Sequence, residues 1–485
     1  MRDEGEYAYS AQLLINGVAP YQHSFIQKPP MVIYSYAVAD LLAPHVYYGP
    51  RLLADLFVAA ATLLLGYAAA LEFGVGVAFC TMCLATPMVL LPTLDQYPAN
   101  TEMFMLLPLM ATVALFLHGR KHGHAGKFLV AAGMLGMVTF LYKYTSLPLV
   151  GFVYLCWLFE IARLRNGDRF WRSLGLLAFG SILASVIVLG WFLWRDGGAH
   201  LWECTIQFNR YYLGSKNFAL TNLWQNVAGF WSSWWILFFL APAALLMRGT
   251  RVWFWVGLFI LAWFSTGNSA YGQYYVLIMP FWALLAAVGI RALGFRLGEW
   301  QGRPSRWFGS LAGVIVLILI LRVDVPWMTC SPERFAVAKL SGYPFLESQL
   351  VARKVAELTS SGDPVYIAGS EPQILYYAGR FSPTRFITAY AMMIPTPVAQ
   401  QYQQEAIADL LKNPPAVVVF VGNGTSWLRQ EKTPGLFLDF LGRFLSEGYQ
   451  RVGGYVPGEK TGEWDAPLSD DEMAKASLVL YQRKK

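Results

Sequence analysis

The sequence predicts a polytopic α-helical membrane protein that ends in a soluble α/β domain. The 485 residues are 56% hydrophobic and only 14% charged, whereas soluble domains contain about 25% charged residues. Long apolar runs follow one another from residue 50 to residue 322, and the composition becomes mixed after that point. We therefore divide the chain into an N-terminal segment 1–49, a transmembrane region 50–322 and an α/β domain 323–485.

The transmembrane region is predicted from the lengths of its apolar runs. A membrane helix needs roughly 17–25 mostly apolar residues. By this criterion we predict ten spans, at 50–72, 75–93, 101–118, 126–142, 145–162, 174–194, 226–247, 252–268, 274–292 and 307–322. The run 31–43 is apolar but short, so we expect a helix that lies against the membrane or dips into it.

The basic residues of the loops predict the orientation in the membrane. One set of loops carries eleven Lys or Arg, from Arg120 to Arg306, and the opposite set carries only Lys143, Arg195, Arg210 and Lys216. Positive charge accumulates on the cytoplasmic side of membrane proteins. The first set is therefore predicted to be cytoplasmic, which places both ends of the chain on the extracytoplasmic side. The same topology explains the net charge of +7, so we expect no nucleic-acid partner.

The N-terminal segment raises a topological question, because no spanning helix precedes residue 31. We expect a further helix upstream that would carry this segment across the membrane. The alternative is that the later helices draw the short N-terminus across.

The C-terminal domain shows alternating helix and strand patterns. The short apolar runs 364–369 and 416–422 are bounded by turn residues and predict buried strands. Residues 346–360 and 398–412 are predicted to form amphipathic helices. This alternation predicts a small α/β domain with a largely parallel sheet.

Chemically capable side chains gather on the predicted extracytoplasmic face. Ionisable groups are nearly absent from the middles of the spans, which disfavours a proton-coupled transporter. Carboxylates can act as bases, and Lys or Arg can stabilise a departing phosphate. The candidates on this face are Asp3, Glu4, Glu6, His23, Lys28, Asp95, Glu102, Lys143, Arg210 and the stretch Tyr271–Tyr275.

The opening motif resembles a known family. Asp3-Glu4, Tyr7, Gly17, Pro20 and Lys28-Pro29-Pro30 resemble the first extracytoplasmic loop of the protein O-mannosyltransferase and lipid A aminoarabinose transferase superfamily. These proteins are integral-membrane glycosyltransferases of the GT-C type. Later segments resemble the family in the same order: Asn100-Thr101-Glu102, Phe140 to Lys143, Gln207 to Arg210, and Tyr271 to Tyr275 followed by Met279-Pro280.

The resemblance implies a reaction and roles for individual residues. Family members transfer a sugar, with inversion, from a polyprenyl-phosphate carrier to a lipid, glycan or protein acceptor at the outer face of the plasma (inner) membrane. By resemblance, Asp3, Glu4 and Glu102 are the candidate catalytic carboxylates, with Asp3 the first choice as base. The candidate groups for binding the donor phosphate are Lys28, Lys143, Arg210, Tyr274 and Tyr275. The resemblance identifies no cofactor with certainty, and it leaves a divalent metal ion as a candidate.

Structural roles remain as alternatives for the same residues. Asp3 could cap a helix, Glu4 could complement a helix dipole, the lysines could reach the interface, and the tyrosines could belong to an aromatic belt. Glu6 is expected on a solvated face, and His23 and Asp95 are expected to be loop residues. Gln27 and Gln207 stand where the aminoarabinose enzymes have Glu and His, which argues against that specific reaction.

Two other classes of function remain open. A transporter or lipid flippase is one, although broken helices in related halves are not evident in the sequence. The other is a membrane anchor that presents residues 323–485 as a binding module.

Overall fold

A computed structural model describes residues 2–46, 48–91, 98–163, 167–196, 198–214, 220–247, 252–267, 271–301, 306–331, 334–335, 338–339, 344–456 and 476–484. The helices up to the end of the apolar region are α1 Arg2–Ile15, α2 Pro20–His23, α3 Met31–Leu42, α4 Gly49–Phe73, α5 Val75–Leu90, α6 Thr101–His122, α7 Gly126–Tyr142, α8 Leu147–Ala162, α9 Gly167–Asp196, α10 Ala199–Trp202, α11 Phe208–Gly214, α12 Leu220–Trp234, α13 Leu237–Ala243, α14 Val252–Ser265, α15 Met279–Gln301 and α16 Arg306–Leu321.

The remaining elements belong to the C-terminal part. The helices are α17 Val325–Met328, α18 Phe345–Leu358, α19 Gln373–Ala378, α20 Tyr390–Met393, α21 Ala399–Lys412 and α22 Leu436–Gly448. The strands are β1 Val365–Ala368, β2 Val417–Val421, β3 Tyr449–Tyr455 and β4 Leu478–Arg483. We call residues 345–456 together with 476–484 the C-terminal unit.

Helices occupy every predicted span, but they differ in length. Among the described residues, five helices are long and apolar enough to cross a membrane: Gly49–Phe73, Thr101–His122, Tyr144–Ala162, Gly167–Arg195 and Met279–Arg296. Four more predicted spans coincide with apolar helices of 10–17 residues. The chain is therefore an integral, multi-pass membrane protein.

The predicted span 226–247 is broken rather than straight. Trp224–Trp234 and Leu237–Leu246 meet at 92°, and together they could form a sixth span. The ring of Trp231 packs 5.5 Å from Phe238 and 5.8 Å from Phe239, measured between ring centroids. Aromatic rings that pack against each other across the bend favour the folded-back arrangement, which an apolar run alone does not reveal.

The C-terminal sheet has the order β1-β2-β4-β3. Strands β1 and β2, which the sequence predicted, are parallel, with Val365 opposite Val417. Strand β4 is antiparallel to both β2 and β3. The prediction of a largely parallel sheet was therefore wrong. It failed because it missed β3 and β4, which add a C-terminal antiparallel pair to the one βαβ crossover.

Helix α1 is shared by the two halves of the molecule. Tyr9 and Leu13 lie in one hydrophobic core with Val351 and Ile374 of the C-terminal unit. Tyr7 lies in a second core, which runs through the membrane helices and continues into the C-terminal unit. The backbone of α1 also approaches α19 closely: a Cβ added at Gly5 would lie 2.5 Å from the backbone nitrogen of Gln373. The first residues of the chain therefore form a buried helix that packs between the membrane helices and the C-terminal unit.

An ion-pair cluster also joins the C-terminal unit to the rest of the molecule. The guanidinium of Arg385 donates to both carboxylate oxygens of Glu203, at 2.9 Å each, and to both of Glu405, at 2.6 and 2.9 Å. Glu203 begins a π-helical turn, Glu203–Gln207, just before α11. Bidentate pairs of this kind fix orientation as well as distance. Arg385 therefore holds the segment around α11 against the C-terminal unit.

Candidate active site

Five of the predicted site residues meet at one end of the helical bundle. They come from distant parts of the chain: Asp3 from α1, Lys28 from the loop after α2, Glu102 from the start of α6, Lys143 from the end of α7, and Tyr274 from the 3₁₀ turn Gly272–Leu277. Opposite charges from separate segments, brought together beside an aromatic ring, can bind a charged substrate. We call these five residues the charged cluster.

Lys143 is the most tightly held cation of the charged cluster. Its ammonium donates a hydrogen bond to the carboxylate of Glu102, whose exposed fraction is 3%. The same nitrogen lies 3.4 Å from the ring centroid of Tyr274. Burial lowers the pKa of Lys143 to about 8, although the negative charge of Glu102 acts in the opposite direction. The charge on Lys143 therefore depends on Glu102 near neutral pH.

Lys28 is the second cation near Tyr274. Its ammonium lies 5.7 Å from the same ring centroid. Its backbone carbonyl accepts a hydrogen bond of 2.8 Å from the buried Tyr21, which fixes the loop. Burial lowers the pKa of Lys28, but Tyr274 and the carboxylates of Asp3, Glu102 and Glu6 outweigh it and hold that pKa above its usual range. Lys28 consequently stays positively charged.

Asp3 is half-buried on the first turn of α1, within the electrostatic reach of Lys28. The helix begins at Arg2, so Asp3 is not its N-cap. Within the described part of the chain, its carboxylate makes no hydrogen bond or ion pair. Its negative charge also contributes to raising the pKa of the phenols of Tyr7 and Tyr212. An acid that is held near a cation but has no fixed partner can accept a hydrogen bond or proton from a substrate.

Glu4 lies next to Asp3 but points into a different environment. Arg51 binds both of its carboxylate oxygens, at 2.9 and 2.8 Å, and the amide of Ala99 donates a third hydrogen bond of 3.0 Å. Burial raises the pKa of Glu4, but Arg51 overcomes this effect and holds it far below the usual range. These contacts tie α1 to the start of α4 and favour a structural role for Glu4.

Glu6 is buried, so the expectation of a solvated face was wrong. Its exposed fraction is 5%, and Tyr390 of the C-terminal unit contacts it through a 2.8 Å hydrogen bond. The sequence placed Glu6 three residues after Asp3, on the same side of a helix. What it could not reveal is the C-terminal unit that covers this side.

The other candidates lie outside the charged cluster. Tyr275 is fully buried, packs against Phe230 and Trp263, and accepts a 2.5 Å hydrogen bond from Asn226. Arg210 is exposed on α11 and makes no hydrogen bond or ion pair with any residue that the structure describes. His23 is exposed at the end of α2. Asp95 lies outside the described residues.

The described residues contain no group of three or more His, Cys, Asp or Glu side chains that could hold a metal ion. Glu102 is occupied by Lys143 and Glu4 by Arg51. Of the carboxylates around Asp3, Glu4 and Glu102 are therefore paired with cations, and Glu6 contacts Tyr390.

Comparisons with known proteins reveal the fold. No family profile and no curated protein matches the chain by sequence. Among solved structures, ArnT from Cupriavidus metallidurans in the apo state is similar, with a TM-score of 0.58, 16% identity, and coverage of 99% of this chain and 93% of ArnT. The same ArnT bound to undecaprenyl phosphate gives a TM-score of 0.56 at 16% identity with the same coverage.

A larger protein shares the architecture as well. The arabinofuranosyltransferase AftD from Mycobacteria has a TM-score of 0.50 and 13% identity, covering 98% of this chain and 39% of AftD. These similarities extend over nearly all of the chain. The protein therefore has the GT-C glycosyltransferase fold.

Proposed function

We propose that the protein is a glycosyltransferase that moves a sugar from a polyprenyl-phosphate carrier to a lipid, glycan or protein acceptor. The observation that carries this proposal is the charged cluster, where two ammonium groups approach Tyr274. The carboxylate of Asp3 in the same cluster makes no hydrogen bond or ion pair with the residues that the structure describes. The similarity in fold to ArnT, whose structure was determined with undecaprenyl phosphate bound, supports a lipid-linked donor.

The cations provide the donor side of the reaction. Lys28 and Lys143 bind the phosphate, and they stabilise the negative charge that it gains when the bond from its oxygen to the anomeric carbon breaks. Fixed cations stabilise a developing negative charge most effectively in a site that excludes water. Glu102 and Tyr274 hold Lys143 in place. The polyprenyl tail lies against the apolar helices, whose surfaces face lipid.

Asp3 provides the acceptor side. Its carboxylate accepts the hydrogen bond of an acceptor hydroxyl and takes the proton as the acceptor oxygen bonds to the anomeric carbon. The phosphate leaves from the opposite face of that carbon, so the configuration inverts. For a phosphate acceptor, which has no proton to lose, Asp3 orients the attacking group. Glu4 has no part in this step because Arg51 occupies it.

The charge distribution of the loops supports an extracytoplasmic reaction at the plasma (inner) membrane. The charged cluster lies on the side whose loops are poor in Lys and Arg, and the C-terminal unit packs over the same side through α1. The activated sugar then arrives on its lipid.

The experiment is a transfer assay with protein reconstituted in vesicles. Undecaprenyl phosphate carrying a series of radiolabelled sugars is the donor, and separated membrane lipid, glycan and protein fractions are the acceptors. We expect label in one fraction, with at least a hundredfold less in Asp3→Asn, because loss of a general base costs roughly 10²–10⁴-fold. Asp439→Asn, an exposed Asp on α22, is the matched control.

The outcomes separate the proposal from its competitors. Equal transfer by wild type and Asp3→Asn would contradict the role of Asp3. Absence of transfer with the full series of donors, combined with movement of the lipid between the two leaflets, would favour a flippase instead.

A further inference from the structure

Glu6 is a buried carboxyl group that the proposed reaction does not use. It lies one helical turn from Asp3, and its exposed fraction is 5%. It contacts Tyr390, on the short helix α20 of the C-terminal unit, at 2.8 Å. The C-terminal unit thus reaches into the immediate surroundings of the charged cluster through one phenol.

The hydrogen bonds of Tyr390 indicate which protonation state fits this geometry. Its hydroxyl oxygen lies 2.8 Å from a carboxyl oxygen of Glu6 and 3.1 Å from the backbone carbonyl oxygen of Phe25. A phenol has one proton and can donate it to one of these two acceptors. Both contacts are hydrogen bonds when Glu6 is protonated. Its O–H then donates a hydrogen bond to the Tyr390 oxygen, and the Tyr390 O–H donates one to the backbone carbonyl of Phe25.

The charges around Glu6 favour the same state. The titratable groups that face it are Asp3 and Tyr7 on its own helix, Lys28 on the neighbouring loop and Tyr390 on α20. Burial, followed by the negative charge of Asp3, raises the pKa of Glu6 to about 8, while Tyr390 and Lys28 oppose the rise. Two carboxylates on one helical turn avoid ionising together because their charges repel.

We propose that Glu6 is a positioning residue: as a neutral carboxyl group hydrogen-bonded to Tyr390, it leaves the charge of Lys28 available to a phosphate headgroup. When Glu6 ionises, its negative charge competes with the phosphate for Lys28. The C-terminal unit thereby controls the electrostatics of the donor site through Tyr390. This inference rests on the proposed function, because the headgroup is that of the lipid-linked donor.

The first test is spectroscopic and needs no substrate. An infrared difference spectrum between wild type and Glu6→Gln, recorded near neutral pH, should contain the carbonyl band of one neutral carboxylic acid. The band should disappear as the pH rises through about 8. In Tyr390→Phe it should persist to higher pH, because the phenol that would donate a hydrogen bond to the ionised carboxylate is lost. A spectrum without this band near neutral pH would overturn the proposal.

The second test measures binding of undecaprenyl phosphate to the full chain in nanodiscs as the pH rises. Lys143 titrates in the same range, so the wild type should lose affinity for two reasons and Glu6→Gln for only one. We expect the loss from neutral pH to about pH 9 to be at least about fivefold larger in wild type than in Glu6→Gln, as charges interacting at close range would produce. Tyr390→Phe should retain affinity to higher pH than wild type, and Glu431→Gln, at an exposed position, should match wild type.

The outcomes of the binding test have distinct meanings. Identical pH dependence in wild type and Glu6→Gln would overturn the role of Glu6 while leaving the proposed function in place. A wild type that fails to bind undecaprenyl phosphate at any pH would contradict the proposed function, and the positioning role with it. If Glu6→Gln does not fold, Tyr390→Phe alone decides, since a structural role would not move the transition upward.

Discussion

The ammonium of Lys143 lies 3.4 Å from the ring centroid of Tyr274. At this distance the electrons of the ring face attract the cation, and the interaction strengthens when water is excluded. The ring also lies 5.7 Å from the ammonium of Lys28. Tyr274 therefore helps to keep two positive charges near each other before any phosphate is present.

Replacing Tyr274 tests this arrangement. Tyr274→Leu removes the ring and should weaken binding of undecaprenyl phosphate roughly tenfold, in line with a cation–π contribution of about 1–2 kcal/mol. Tyr274→Phe keeps the ring and should bind within about twofold of wild type. Binding in nanodiscs measures both variants. Equal losses in the two variants would show that the hydroxyl, and not the ring face, is what matters.

The dependence of Lys143 on Glu102 predicts a change in pH profile. Burial lowers the pKa of Lys143 to about 8, and Glu102 acts to raise it. Glu102→Gln removes the raising charge, so the pKa of Lys143 should fall further. Affinity for undecaprenyl phosphate should then decline at a pH at least about one unit lower than in wild type. Lys143→Arg, whose side chain stays protonated, should show no decline from this source. If the affinity of Glu102→Gln declined at the same pH as that of wild type, Glu102 would not control the charge of Lys143.

The neighbours Asp3 and Glu4 should respond differently to loss of charge. Glu4→Gln leaves Arg51 without its bidentate partner, and breaking a buried pair costs about 3–5 kcal/mol. The thermal unfolding temperature of Glu4→Gln should therefore fall well below that of wild type. The Asp3→Asn protein should unfold near the wild-type temperature but lose sugar-transfer activity.

The pH dependence of the unfolding temperature gives a second reading of Glu4. The pKa of Glu4 is lower in the folded state than in the unfolded state, so its stabilisation is present above the ordinary carboxyl pKa and fades as the pH falls. Wild type should show this loss in acid, and Glu4→Gln should not. A Glu4→Gln protein as stable as Glu431→Gln at neutral pH would contradict the structural role.

The close packing of α1 on α19 predicts the effect of one added methyl group. Gly5→Ala would place a Cβ 2.5 Å from the backbone nitrogen of Gln373, so the two helices must separate. We expect a loss of about 1–3 kcal/mol in unfolding free energy, and reduced transfer because Asp3 moves with α1. Gly442→Ala on α22, where a Cβ meets open space, is the control and should be neutral or slightly stabilising.

Reading the sequence succeeded where the signal is local. Apolar runs at helical length predicted helices at all ten spans, and Val365–Ala368 and Val417–Val421 were predicted within a residue or two. It failed where distant segments decide the outcome. Strands β3 and β4 pair across 22 or more residues, and the bend after Trp234 depends on aromatic contacts that hydropathy does not describe.

The same division applies to the site. The motif Asp3-Glu4 drew attention to both carboxylates, and the family resemblance favoured Asp3 as the base, but the sequence does not reveal the partner of either side chain. The structure separates them because successive residues of a helix point about 100° apart. One carboxylate faces Arg51 and the amide of Ala99, and the other faces Lys28.

The sequence by itself determined the membrane character, the positions of the helices, the mixed C-terminal part and the residue types that a phosphate site needs. These follow from hydrophobicity and charge, which act along the chain. Only the tertiary structure decided that Lys143 contacts Glu102 and Tyr274. It also decided that Tyr275 is buried among aromatic rings and that Tyr390 forms a hydrogen bond with Glu6. Those outcomes depend on burial and on partners from 41 to 384 residues away along the chain. The charge and hydrogen bonds of a side chain are set by what surrounds it once the chain has folded.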